Sequence, residues 1–129
     1  MPSSERVNAF VSTVRDGRFV QAIEDFYAED SSMKENLGPE RRGRDLLIQH
    51  EIAALSRASI VTHEVGAVLI DGDQVVINWV FEMTGADGAV RRLDELALQT
   101  WREDQIVREQ FYYDPGQLAA THGQRGGTL

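Results

Sequence analysis

The hydrophobic period of this chain changes once, near Ala58, and that single change narrows the fold more than any other feature. Before it, apolar residues recur at helical spacing; after it, they alternate. Val7, Phe10, Val11 and Val14 form one stripe, with Ser3 or Ser4 available as a cap and Asp16-Gly17 as a break. A second helix carries Phe19, Ile23, Phe26 and Tyr27 on its buried side. Residues 29–37 read as a short polar strand or extended arm, and Gly38-Pro39 and Gly43 punctuate a loop. A third helix over about 44–58 is expected to turn Leu47, Ile48, Ile52 and Leu55 inward. Strands follow at about 59–70, 74–84, 90–102 and 106–114. The first two are joined by Asp71-Gly72-Asp73, where positive φ favours Gly and Asp. Helices first and strands last predict an α+β domain with helices packed on one face of an antiparallel sheet.

Both faces of that sheet are apolar. On strand 74–84 one face shows Val75, Ile77, Trp79, Phe81 and Met83, and the other shows Gln74, Val76, Asn78, Val80 and Glu82. A sheet with one wet face alternates apolar and polar residues. The chain's own helices cover one face only, so the second face predicts a homodimer through the sheet. The mixed face is expected to gather Asn78, Glu82, Glu95, Gln99 and Glu109 among Trp101, Phe111 and Tyr113. A concave apolar surface with a few polar groups suits a small hydrophobic molecule as ligand. Parity alone does not fix which face is concave. Reversed, Trp79, Phe81 and Met83 line the pocket.

Composition removes several chemistries. There is no cysteine, which removes disulfides, thiolate nucleophiles and thiolate-bound metals. A net charge of −8 disfavours nucleic acid and anionic membranes as partners. No apolar run reaches the ~20 residues of a membrane span, and Met1-Pro2-Ser3-Ser4-Glu5-Arg6 is unlike a secretory signal, so a cytoplasmic protein is expected. His50 and His63 lack metal-ligand spacing, so no metal is expected. No strand–glycine loop–helix unit implies a phosphate-binding cofactor, and none is expected. Ser31-Ser32 has no base nearby in sequence, so no nucleophilic triad is proposed.

Several stretches carry a resemblance. The run 10–17 resembles the first helix and helix break of the nuclear-transport-factor-2-like superfamily, and 22–30 resembles its second helix running into the first strand. Gly43 before a helix, and the closing hairpin 101–114 with Glu103-Asp104-Gln105-Ile106 at its turn, complete the pattern. The chain is most similar to the SnoaL-like polyketide cyclase and ketosteroid isomerase branches, over roughly residues 5–115. The resemblance implies a cone-shaped (α+β) barrel, with three N-terminal helices on a curved mixed or antiparallel sheet. It makes 1–115 one domain; the Gly-rich, polar stretch 116–129 reads from its composition as a flexible tail.

Laid on the isomerase pattern, Glu35 takes the position of the carboxylate base. Phe10 stands where the oxyanion-hole tyrosine would be, and Ala97 near the protonated aspartate, with Glu95 or Gln99 as the nearest polar substitutes. An enolate would lack its donors there, which argues against steroid isomerisation. Asp114 matches a cyclase-like acid at the end of the last strand. The catalytic candidates are therefore Glu35, Glu95 and Asp114. The ligand-binding candidates are Phe10, Asn78, Glu82, Gln99, Trp101, Glu109, Phe111 and Tyr113.

Each polar candidate has a structural alternative. Glu35 can be a charged edge residue beside Lys34. Glu95 can pair with Arg91 or Arg92, and Glu109 with Arg102. Two functions follow. One is proton transfer on a small carbonyl compound: isomerisation, aldol-type cyclisation or dehydration. The other is a non-catalytic ligand-binding or dimerisation module. An enzyme holds a pocket carboxyl that titrates near neutrality; a binding module pairs its carboxylates with arginine or exposes them.

Overall fold

In the computed structural model, which describes residues 1–119, the order is α1 (Ser4–Arg15), α2 (Phe19–Phe26), β1 (Tyr27–Glu35), β2 (Arg41–Arg42), α3 (Arg44–Arg57), β3 (Ala58–Asp71), β4 (Gln74–Gly85), β5 (Val90–Arg102), β6 (Gln105–Tyr112) and α4 (Gly116–Ala119). Six strands form one open sheet in the order β2-β1-β6-β5-β4-β3. The β1–β6 pair is parallel and the others antiparallel, so the sheet is mixed. It curls around the helices as an open cone.

Local chemistry explains the helix ends. The Ser3 hydroxyl accepts the Arg6 amide at 3.1 Å and starts α1. Gly17, at φ +81°, turns the chain into α2. Arg6 ties both together: its guanidinium lies 4.0 Å over the Phe26 ring and donates to the carbonyls of Asp25 and Asp104. The β5–β6 hairpin turns through Glu103-Asp104, with Glu103 at φ +58°.

The core lies between the helices and the concave sheet face. Phe10 is its hub, making edge contacts with Phe26, Tyr27, Trp79 and Trp101 at ring distances of 5.4–6.3 Å. Of the four residues expected to face inward from α3, Leu47 is buried, Ile48 and Leu55 are half-buried, and Ile52 is 54% exposed. The inward stripe is Leu47, His50, Glu51 and Ala54, which follows i, i+3, i+4, i+7 spacing but includes two polar residues.

Face assignment on β4 also differs from the sequence reading. Trp79 pairs with Glu95, and Ile77 with Ala97, which pairs with Phe111. Directly opposed residues share a face. So Trp79, Phe81 and Met83 join Glu95 and Phe111 on the concave side, and Asn78 and Glu82 lie on the outer side. The outer face also exposes Val61, Leu69, Leu96 and Tyr112. The wholly apolar face of β4, from which the homodimer was expected, therefore lies beneath the chain's own helices rather than open to a partner.

The stretch after residue 115 begins with a docked turn. Asp114 Oδ1 accepts the Gly116 amide at 2.9 Å, and Arg91 donates to the Leu118 carbonyl. The Gln117 amide group accepts the Asp94 N–H and donates to the Asp94 C=O, so it caps β5 where β6 has ended. The rest of the tail, 120–129, lies outside the described residues.

Candidate functional site

A cavity of about 210 Å³ sits between the helices and the concave sheet face. Phe10, Phe19, Trp79, Phe81 and Phe111 supply aromatic walls; Val14, Ile23, Ile60, Met83 and Leu93 supply aliphatic ones. Trp79 stacks on Phe81 at 5.6 Å, and Phe19 meets Phe81 edge-on at 6.0 Å. Into this apolar space project four carboxyl groups from four elements: Glu35 of β1, Glu51 of α3, Glu95 of β5 and Glu109 of β6.

Each carboxyl has a different environment. Glu35 is held from two sides: Arg41 of β2 donates at 3.2 Å and the Tyr113 hydroxyl at 2.9 Å. Burial and this bond push the Tyr113 phenol up to about 12, so it remains a donor. Asn36, at φ +50°, fixes the pair: its N–H donates to Phe111 O, and its side-chain oxygen accepts the Tyr113 N–H.

Glu109 is only 2% exposed. The Tyr27 hydroxyl donates to one of its oxygens, and Gln99 Nε2 donates to the other at 2.6 Å. The Gln99 orientation is set from beneath, because its oxygen accepts Trp101 Nε1 at 3.0 Å. Burial raises the Glu109 carboxyl, these two donors oppose the rise, and the group stands at about 7. The Tyr27 phenol is driven well above its ordinary value by burial and by Glu109.

Glu95 is 7% exposed and has no hydrogen-bond or ion-pair partner among the described residues. The arginines that could neutralise it are committed: Arg91 to Leu118 O and Arg92 to Glu82 at 3.1 Å on the outer face. Burial first, then the charges of Glu109, Glu35 and Glu51, push it up to about 8. Burial raises Glu51 as well, and burial together with Arg41 lowers His50. At neutral pH Glu95 is therefore a carboxylic acid facing an apolar cavity.

The cavity brings together Phe10, Glu35, Glu95, Glu109 and Phe111 of the candidates. Tyr113 reaches it through Glu35. Gln99 and Trp101 lie in the core beneath it and carry Glu109. Asn78 faces outward, donating to Asp94 at 2.8 Å, and Glu82 pairs with Arg92 there. Asp114 is exposed, caps α4 and does not line the cavity. Sequence reasoning missed Arg41, His50 and Glu51. Glu51 lies four residues after Leu47, a spacing that signals the same helix face; Arg41 sits in a two-residue strand without any pattern. Among the described residues no group of three or more acidic or histidine side chains could hold a metal ion. Among the described residues no helix is long and apolar enough to cross a membrane.

The sequence pattern of the SnoaL-like domain matches residues 7–109. The chain belongs to the SnoaL-like family. Among solved structures, a candidate SnoaL-like polyketide cyclase from Mesorhizobium loti is 26% identical, with a TM-score of 0.77 over 85% of this chain and 97% of its own. A candidate polyketide cyclase from Xanthomonas campestris pv. campestris is 21% identical, with a TM-score of 0.77 over 89% and 92%. A protein of ketosteroid isomerase-like fold from Catenulispora acidiphila, crystallised with trimethylamine, is 19% identical, with a TM-score of 0.69 over 87% and 87%. Among curated proteins, no relative matches the chain. The SnoaL-like domain thus has the nuclear-transport-factor-2-like fold, and its cavity occupies the concave side of the sheet.

Proposed function

We propose that this SnoaL-like domain binds a small, largely apolar molecule in the cavity and transfers a proton to or from it, with Glu95 as the proton-carrying group. One observation carries the reading: Glu95 faces the apolar cavity, buried and without a partner among the described residues, and that burial pushes its carboxyl up to about 8. A general acid or base works best when its pKa lies near the working pH. Ordinary surface carboxyls do not meet that condition. Glu35 is the second polar anchor, oriented by Arg41 and Tyr113. The ligand seen with the Catenulispora acidiphila protein supports a small organic occupant.

Glu35 itself favours the second reading, a non-catalytic binding module, because it is paired with an arginine. The two readings separate in a hydrogen-exchange assay. 2-Tetralone, an apolar ketone with an acidic CH₂, is incubated with the protein in deuterated buffer, and α-proton loss is followed by NMR. Proton transfer predicts exchange above the buffer rate, and a loss of about 10²–10⁴-fold in Glu95→Gln. Equal exchange in both proteins, with 2-tetralone bound, leaves the binding module.

A further inference from the structure

The charges around the cavity do not balance. Arg41 is the one arginine lining it, and Arg41 is already bonded to Glu35. Glu51, Glu95 and Glu109 have no basic partner among the described residues. The walls beside them are aromatic: Trp79 stacked on Phe81, with Phe19, Phe10 and Phe111 completing the surface. A hydrocarbon would be indifferent to whether these carboxyls, raised by burial, hold their protons or give them up. A cation would not, since ring faces carry negative charge density and attract ammonium groups in desolvated sites.

Taking as given that the cavity receives a small, mostly apolar molecule, we propose that this molecule carries a protonated or quaternary nitrogen, held between the aromatic walls and the Glu95 and Glu109 carboxyls. The proton balance follows directly. An amine that enters as its free base accepts the Glu95 proton, forming an ammonium–carboxylate pair with no net exchange with solvent, whereas for an amine already protonated in water the Glu95 proton goes to solvent. A quaternary ammonium cannot accept it, so Glu95 releases one proton to water as the cation binds.

The groups facing Glu95 set the pH dependence. Glu109 on β6, Glu35 on β1 and Glu51 on α3 oppose its ionisation. Tyr27 and Tyr113 are held neutral by phenol pKa values above their ordinary range. His50 on α3 is lowered by burial, so it is neutral above its ordinary value. The Arg41 charge is offset by Glu35. Below about 8, where Glu95 holds its proton, affinity for a fixed cation rises up to tenfold per pH unit, and above that it levels.

Phenyltrimethylammonium and tert-butylbenzene have the same shape and differ by one charge. Calorimetric titration of the full chain with each, at pH 6.5 and 8.5 and in two buffers of different ionisation enthalpy, measures affinity and protons together. The expected result has three parts. The cation binds at least tenfold tighter than the hydrocarbon at pH 8.5. About one proton is released per cation bound at pH 6.5. Glu95→Gln erases the preference. Equal or tighter binding of tert-butylbenzene at pH 8.5 overturns the inference and leaves an apolar cavity consistent with proton transfer. Binding of neither compound, or a preference that persists in Glu95→Gln, overturns it too. Exchange of 2-tetralone, measured separately, decides whether the proton-transfer reading falls with it.

Discussion

The charge state of single carboxyls is the physical centre of this protein. Glu95 and Glu109 are raised to about 8 and about 7 by burial, above the ordinary carboxylate value. The sign of the stability effect follows. A raised folded pKa means that the fold prefers the protonated form, so the contribution is whole below the ordinary value near 4.5 and is lost as pH rises through 7 to 8. Each group contributes a slope of up to about 1.4 kcal/mol per pH unit within that window. The melting temperature is therefore expected to fall between pH 5 and pH 8. Glu95→Gln, which keeps the size and removes the titration, flattens part of the fall. A wild-type curve that is level over this range contradicts the assignment. Glu95 was legible in the sequence as a candidate because it sits on a mixed polar and aromatic face, beside the position where the resemblance places a protonated aspartate. Its state was not, because that depends on Arg91 and Arg92 being engaged elsewhere, which only the tertiary structure decides.

At the level of elements, the period switch gave helices and strands their order, and turn residues gave most of their limits. Parity was harder. Both faces of β4 are apolar, so hydrophobicity alone could not distinguish the face under the helices from the outer one. The pairing decides it, through Asp71 opposite Gln74 and Trp79 opposite Glu95. The α3 stripe slipped for a related reason: Ile52 is apolar yet exposed, while Glu51 points to the cavity. A polar residue on an inward stripe breaks the pattern that reveals the stripe. The β5–β6 turn carries a separate local conflict, since Glu103 takes a positive φ that a side chain disfavours. Glu103→Gly is expected to raise stability by about 1 kcal/mol, read as a higher urea midpoint at unchanged slope. A lower midpoint would show that the Glu103 side chain stabilises the turn by more than its backbone strain costs.

For the molecule as a whole, the open cone has an apolar interior that its own helices leave partly unfilled. Closing that space entirely with hydrocarbon would have stabilised the domain further. Instead, carboxyls from four separate elements converge there, one anchored by Arg41 and Tyr113, one by Tyr27 and Gln99, and two, Glu51 and Glu95, without a hydrogen-bond or ion-pair partner among the described residues. Distances along the chain as large as the 74 residues between Glu35 and Glu109 explain why no local motif announced the site. The resemblance in chain order carried the fold, and the chemistry emerges only from the convergence. The most direct test is a carbon-13 NMR titration of the glutamate side-chain carboxyls, with Glu95 assigned by comparison with Glu95→Gln. The account predicts a midpoint for Glu95 near 8. A midpoint near the ordinary 4.5 would mean an ionised Glu95 at neutral pH, and would contradict the role proposed for it as the proton-carrying group.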